Sequence, residues 1–378
     1  MSVFRGLTWD HPRGRHALEA AARTVAPGLI EWDVQPLEGF ESAPIDELAA
    51  RYDLLVLDHP HLGDAIATDS LQPIDALFPA EQVTAWRDAA VGPSIASYTV
   101  GDRLWALPLD AATQVSVRNP ARVASPPSTW DEALALAEKG LVAMSLAGPH
   151  AFLSMCSIAV SLGDDPGNGQ GLFAPDIAVR AYEKLAALSA GAPAGTADLN
   201  PIGLLDRMRD VGDIGYIPLI YGYVNYASSD IVFSDAPVGA AGVGSTIGGT
   251  GIAVSRRSVP SPELLAHLTW LLSETTQRAF IPDHDGQPSA RAAWRDPRVD
   301  AAAHGFYSGT RITIEQSWVR PRRPGYIPFQ SEASALLRDA IAGRRSPASV
   351  LAEIEERFAA LPHMPTPSHA ANDMKAPA

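Results

Sequence analysis

Cysteine is almost missing from this sequence. Cys156 is the single one in 378 residues, so no disulfide can form within the chain. It sits in the apolar run Phe152-Leu153-Ser154-Met155-Cys156-Ser157-Ile158 and reads as a buried structural thiol. No Cys/His cluster has zinc-ligand spacing, and no metal or cofactor is expected. Long hydrophobic runs are also missing, since no stretch reaches the roughly 18–20 apolar residues of a membrane span. Positive charge is scarce. Lys plus Arg number 29 against 43 Asp plus Glu, a net charge of −14. Such a chain repels phosphate backbones and anionic lipid, which excludes nucleic acid and membrane insertion. The first residues show no basic n-region and no apolar h-region. The expected location is the cytoplasm as the sequence is written, or the periplasm or exterior if a leader has been removed.

What is present is a globular composition, 46% hydrophobic and spread along the whole chain. At this length two or three domains are expected. The first 110 residues alternate strand and helix: strand Phe4–Trp9, helix Ala17–Val25, strand Leu29–Leu37, helix Ile45–Arg51 and the continuous apolar run Asp53–Asp58. A strand covered on both faces of a parallel sheet reads this way. A longer extended segment, Ser94–Val117, comes next. Thr129-Trp130-Asp131-Glu132 has capping-box spacing and opens a helix that ends at Gly140. Leu141–Leu146 as strand and Ala151–Leu162 as helix begin a second alternation, and so a second lobe. Residues 163–171 read as a loop. The C-terminal third is helical, with Leu264, Leu268 and Leu271 on one apolar face and Leu351, Ile354 and Phe358 on another.

Two tripeptides echo each other. Asp10-His11-Pro12 comes after the first strand and Asp58-His59-Pro60 after a later one. Both stand where a parallel strand ends, and ligands of open α/β sheets bind outside those ends. Their Asp and His side chains either contact a polar ligand or cap the next helix or turn. Trp9, Trp105, Tyr221, Tyr223, Tyr226 and Trp318 lie in or beside loops, where a ring can stack on the apolar face of a sugar. Trp105 reads as core. Gly249, in Gly248-Gly249-Thr250-Gly251, suits a tight turn that lets backbone N–H groups approach a ligand. Arg320 opens the densest basic cluster, Arg320 to Tyr326. It either pairs with an acidic ligand group or bridges lobes through salt links. Asp110 closes the apolar strand around Pro108. There is no Gly-x-Ser-x-Gly elbow, no His-Glu-x-x-His and no recognisable Cys/His nucleophile.

The order of several segments resembles the extracellular solute-binding protein family 1, the sugar-type binding proteins of ABC importers. They are Tyr52–Asp58 with Ser70-Leu71-Gln72-Pro73-Ile74-Asp75, Gly101–Pro108, Pro127–Glu132, and Ala236-Pro237 with Gly248–Ser255. Ser70 replaces the family's usual glycine. The resemblance covers roughly Phe4 to Leu361. It implies an α/β, two-lobed periplasmic-binding-protein-like fold of type II, each lobe a doubly wound sheet flanked by helices, the two hinge-linked. Residues 1–111 plus 256–310 would form the first lobe, 112–255 plus 311–361 the second, and 362–378 a disordered tail. A small-molecule ligand, a sugar or ring-containing organic acid, would lie in the cleft of a monomer. Its contacts would be Trp9, Asp10, His11, Asp58, His59, Asp110, Tyr221, Tyr223, Gly249, Trp318 and Arg320. An ABC permease would be the partner if the chain is exported. The alternative is a cytoplasmic enzyme on a recruited binding fold, an isomerase or lyase without a redox cofactor. His11, His59 and Asp110 would then be its acid–base groups.

Overall fold

A computed structural model describes residues 3–364. Of the expected tail, residues 365–378 lie outside the described residues. The chain opens with β1 (Phe4–Trp9), α1 (Pro12–Thr24), β2 (Ile30–Gln35), α2 (Leu37–Ser42) and β3 (Leu54–Leu57). It continues with β4 (Leu107–Asp110), β5 (Gln114–Arg118), α3 (Trp130–Ala137), α4 (His150–Ser161) and α5 (Pro175–Ser189). Then come β6 (Tyr216–Tyr221), β7 (Val232–Ser234), β8 (Thr250–Val254), α6 (Pro262–Leu271), α7 (Tyr326–Ile341) and α8 (Pro347–Ala359).

The first lobe is built on a five-stranded sheet in the order β2-β1-β3-β8-β4. β1 runs parallel to β2 and β3, whereas β8 is antiparallel to β3 and β4. Every residue of β3 is buried, as its unbroken Leu-Leu-Val-Leu run requires of a central strand. The division read from the sequence placed residues 250–254 in the second lobe. They form β8 of the first-lobe sheet instead, because an all-apolar strand finds both faces covered between β3 and β4. Leu264, Leu268 and Leu271 of α6 join Leu7, Leu55 and Val254 in the same apolar core.

The second lobe holds a three-stranded sheet, β6-β5-β7, antiparallel throughout where alternation of strand and helix suggested parallel pairing. Residues 141–146, expected as a strand, contribute only a parallel bridge between Val142 and Tyr216. α4 and α5 pack with α7 and α8 around Phe152, Cys156, Leu185, Leu337 and Phe358. Cys156 is free and buried, as its apolar surroundings indicated. The segment expected as extended from Ser94 begins instead with a helical turn, Ser94–Ser97. It then folds into a hairpin, Thr99–Val100 against Arg103–Leu104, with Asp102 in the left-handed region at φ 63°.

Three chain segments lie side by side where the lobes meet. Gly248 N donates to Ala112 O at 2.8 Å, Ile247 N to Trp318 O at 2.8 Å and Trp318 N to Ser245 O at 2.7 Å. β4 of one sheet passes into β5 of the other through Ala111–Thr113, and β8 is entered from Ser245–Gly249. A few residues in each segment can take up the dihedral change of a hinge. Among the described residues, no helix is long and apolar enough to cross a membrane.

Candidate functional site

Both Asp-His-Pro motifs sit at the carboxyl ends of neighbouring parallel strands, β1 and β3. Each also caps a helical turn. His11 is extended at φ −152° and its Nδ1 accepts from Arg13 N at 3.1 Å, while Pro12 presets the first turn of α1. This start lies five residues ahead of the expected one. Asp58 Oδ1 accepts from His59 N at 2.8 Å and opens a short 3-10 turn, His59–His61.

On one side of the seam the rings converge. Trp9 stacks on His11 with centroids 5.0 Å apart and on Phe40 at 5.6 Å, and Tyr223 of the second lobe meets His11 edge-on at 5.1 Å. The Arg13 guanidinium lies over Tyr223 at 4.5 Å and over Trp9 at 5.2 Å. Its Nε pairs with Asp110 Oδ2 at 2.9 Å and its Nη1 donates to Gly222 O of the second lobe at 3.0 Å. Asp110 Oδ1 accepts from Thr250 N at 2.7 Å. Burial raises the Asp110 carboxyl above its usual value, against the pull of Arg13. Burial and the Arg13 charge lower His11 to about 4.

A second buried pair crosses the seam. Arg320 is 2% exposed and its Nη2 lies 2.5 Å from Asp58 Oδ2. Burial works to raise the Asp58 carboxyl, but Arg320 and His59 outweigh it and hold it well below the carboxylate range. His59 is fully buried, with Nδ1 3.1 Å from Asp58 Oδ1. Burial and Arg320 lower it to about 3. Tyr98 packs edge-on against it, and its hydroxyl donates to Leu57 O at 3.2 Å.

Near these two pairs, several buried polar atoms have no hydrogen-bond partner among the described residues. They include His59 Nε2, both ring nitrogens of His150, the hydroxyls of Tyr221 and Tyr326, and Arg320 Nε. Buried polar groups are nearly always hydrogen-bonded, so a polar ligand reaching these atoms would find donors and acceptors unused by the described residues. Tyr221 is edge-on to His150 at 6.0 Å. A cavity of about 530 Å³ continues the seam outward, lined from the first lobe by Pro44, Ile45 and His61 and from α7 by Ile327, Pro328 and Ser331.

Most of the expected contacts therefore gather at the seam: Trp9, His11, Asp58, His59, Asp110, Tyr221, Tyr223 and Arg320. Gly249 stands beside them at φ +90°, where a Cβ would lie 2.7 Å from Asp110 O. Its left-handed backbone makes the tight turn that leads into β8. Two expected contacts have their side chains engaged elsewhere. Asp10 is exposed and pairs with Arg15 at 2.5 Å on the surface, because its side chain points away from the ring stack. Trp318 packs into the second-lobe core, and its Nε1 donates to Asp165 at 2.9 Å. Sequence reading missed Arg13, Phe40, His150 and Tyr326. Arg13 directly succeeds the first motif. His150 comes after Gly148-Pro149 at a helix start, a signal like that of His11-Pro12.

No protein-family model matches the chain, and no curated protein matches it. Solved structures do. A solute-binding protein of an ABC transporter from Agrobacterium radiobacter K84, in complex with ribitol, aligns with TM-score 0.75 at 18% identity over 94% of this chain and 98% of its own. One from Thermotoga lettingae TMO bound with α-D-tagatose aligns with TM-score 0.77 at 13% identity over 95% and 99%. Maltose-bound MalE3 of T. maritima aligns with TM-score 0.74 at 17% identity over 94% and 98%. The fold is that of the sugar-type ABC-transporter solute-binding proteins. In this two-lobed fold the Arg13–Gly222 and Arg320–Asp58 contacts cross the seam between the two sheets.

Proposed function

We propose that the protein binds a small polyhydroxylated solute in the interlobe cleft and releases it when the lobes part. The single observation that carries this reading is the set of buried, unpartnered polar atoms supplied by both lobes beside stacked aromatic rings. Hydroxyl groups both donate and accept, and they suit phenols and imidazoles that can do either. The ring of Tyr221, edge-on to His150, suits the apolar face of a sugar. The ribitol, tagatose and maltose complexes of the structural neighbours support the same class of ligand. The partner on this reading is an ABC permease. The proposed lobes are residues 3–111 with β8 and 256–310, and 112–249 with 311–361.

No specific observation favours the enzyme reading. His11 caps a helix, Asp110 is locked to Arg13, and the fully buried His59 is backed by the Asp58–Arg320 pair. The test is a thermal-shift panel of sugars, polyols and sugar acids, with calorimetry on the hits. A stoichiometric ligand recovered chemically unchanged, with affinity lowered about tenfold or more in Tyr221→Ala, is expected. Turnover of the ligand, lost in His59→Ala, would replace binding with catalysis.

A further inference from the structure

We propose that the solute carries a carboxylate and that this group is held at the N-terminus of α4. The inference rests on the solute-binding reading and names the ligand class of the same site.

α4 is twelve residues long and opens at Pro149, whose side chain provides no cap. His150 N donates to Ala147 O and Leu153 N to Pro149 O, which leaves the Ala151 and Phe152 amides without a hydrogen-bond acceptor among the described residues. Free first-turn amides and the helix dipole favour an anion there. His150, on the first turn, is 3% exposed and neither ring nitrogen is hydrogen-bonded. Tyr221, edge-on to His150, has an unpartnered hydroxyl, and the Tyr326 hydroxyl and Arg320 Nε are likewise buried and unpartnered among the described residues. Amides and guanidinium only donate; imidazole and phenols can do so too. The place therefore asks for an acceptor-rich group, and a carboxylate supplies acceptors on both oxygens.

A carboxylate of the protein already stands near this place. Glu41, carried by α2 of the first lobe, has Oε1 3.7 Å from His150 Nε2 across the seam. Its Oε2 lies 4.0 Å from where a Cβ on Gly148 would stand. Because Glu41 belongs to the opposite lobe, it withdraws from the helix terminus when the lobes part. The solute's carboxylate then takes that place, and on closure Glu41 meets a like charge. A neutral polyol would satisfy the two phenols but leave the helix terminus and the imidazole unmatched.

The test is calorimetry on the full chain with three sets of probes: glucose, ribitol and maltose; gluconate, glucuronate and galacturonate; and glucose 6-phosphate. At least one sugar carboxylate is expected to bind about tenfold or more tighter than its neutral counterpart. His150→Phe should erase that preference, and Glu41→Gln, a partly exposed position that leaves the fold intact, should strengthen carboxylate binding several-fold. Equal or tighter binding of the neutral counterpart overturns the inference while leaving the solute-binding reading in place. Preference for the sugar phosphate overturns the carboxylate assignment. Failure of every probe to bind counts against both.

Discussion

The Arg13 guanidinium donates to the Gly222 carbonyl at 3.0 Å, joining residues 209 positions apart that sit on opposite lobes. The same guanidinium is paired with Asp110 at the end of β4, the strand that leads into the hinge. Arg13 thus ties closure, ring stack and hinge into one contact.

Replacing Arg13 by Leu should leave Asp110 buried without its cationic partner. Breaking a buried pair in this way costs about 3–5 kcal/mol. A fall of that order in urea-unfolding stability is expected, together with weaker ligand binding. Arg13→Lys keeps the charge but gives up the planar stack on Trp9 and Tyr223, so it should restore stability more fully than affinity.

Asp58→Asn strips the second cross-lobe pair. Arg320 would then be a buried guanidinium facing no carboxylate, at a cost of about 3 kcal/mol. Equilibrium unfolding and ligand titration should both register the change. Unaltered stability would mean that Asp58 and Arg320 do not meet in solution.

Acidification should destabilise the shut protein. Burial, with Arg13 or Arg320 adding to it, lowers His11 to about 4 and His59 and His150 to about 3. The unfolded chain therefore binds more protons than the folded one between the ordinary imidazole value and these. Stability from these neutral imidazoles is complete above about pH 6.5 and is lost as pH falls through the window toward 4 and 3. Asp58, held low, extends the loss on further acidification, while Asp110, held high, opposes it. Differential scanning calorimetry from about pH 8 to about pH 4.5 should show Tm falling steadily below about 6.5. His59→Phe should flatten the slope.

Gly248→Ala probes the floor of the cleft. A Cβ there would lie 2.6 Å from the Tyr221 ring, so the ring must move. Overpacking of this kind costs about 1–3 kcal/mol. The larger effect should be on ligand affinity, read by calorimetry, since Tyr221 offers one of the unpartnered hydroxyls.

Much of this site was legible in the chain because it is written locally. A strand that ends in Asp-His-Pro announces both its end and the residues standing there, and the parallel pairing of β1 with β3 brings the two copies together. The capping box was legible for the same reason: Thr129 Oγ1 accepts from Glu132 N at 3.3 Å, and Glu132 reaches back, though to Ser128 N rather than Thr129 N. What was not legible depends on distant chain. Asp10 differs from His11 by one position, yet it is exposed and paired with Arg15. Trp318 reads as a loop aromatic until Asp165 and the second-lobe core receive it. Arg13 and His150 gain meaning only from Gly222, Tyr221 and Glu41 across the seam. Whether β8 belongs to one lobe or the other is decided by its pairing with β3 and β4, which an apolar run of five residues does not specify.

Two hinged lobes that shut around a solute must become more compact when the solute binds. Small-angle X-ray scattering on the full chain, without ligand and with a saturating ligand found by calorimetry, tests this most directly. A smaller radius of gyration with ligand is expected, and no such contraction in Arg13→Leu. An identical radius with and without a stoichiometrically bound ligand would contradict hinged closure.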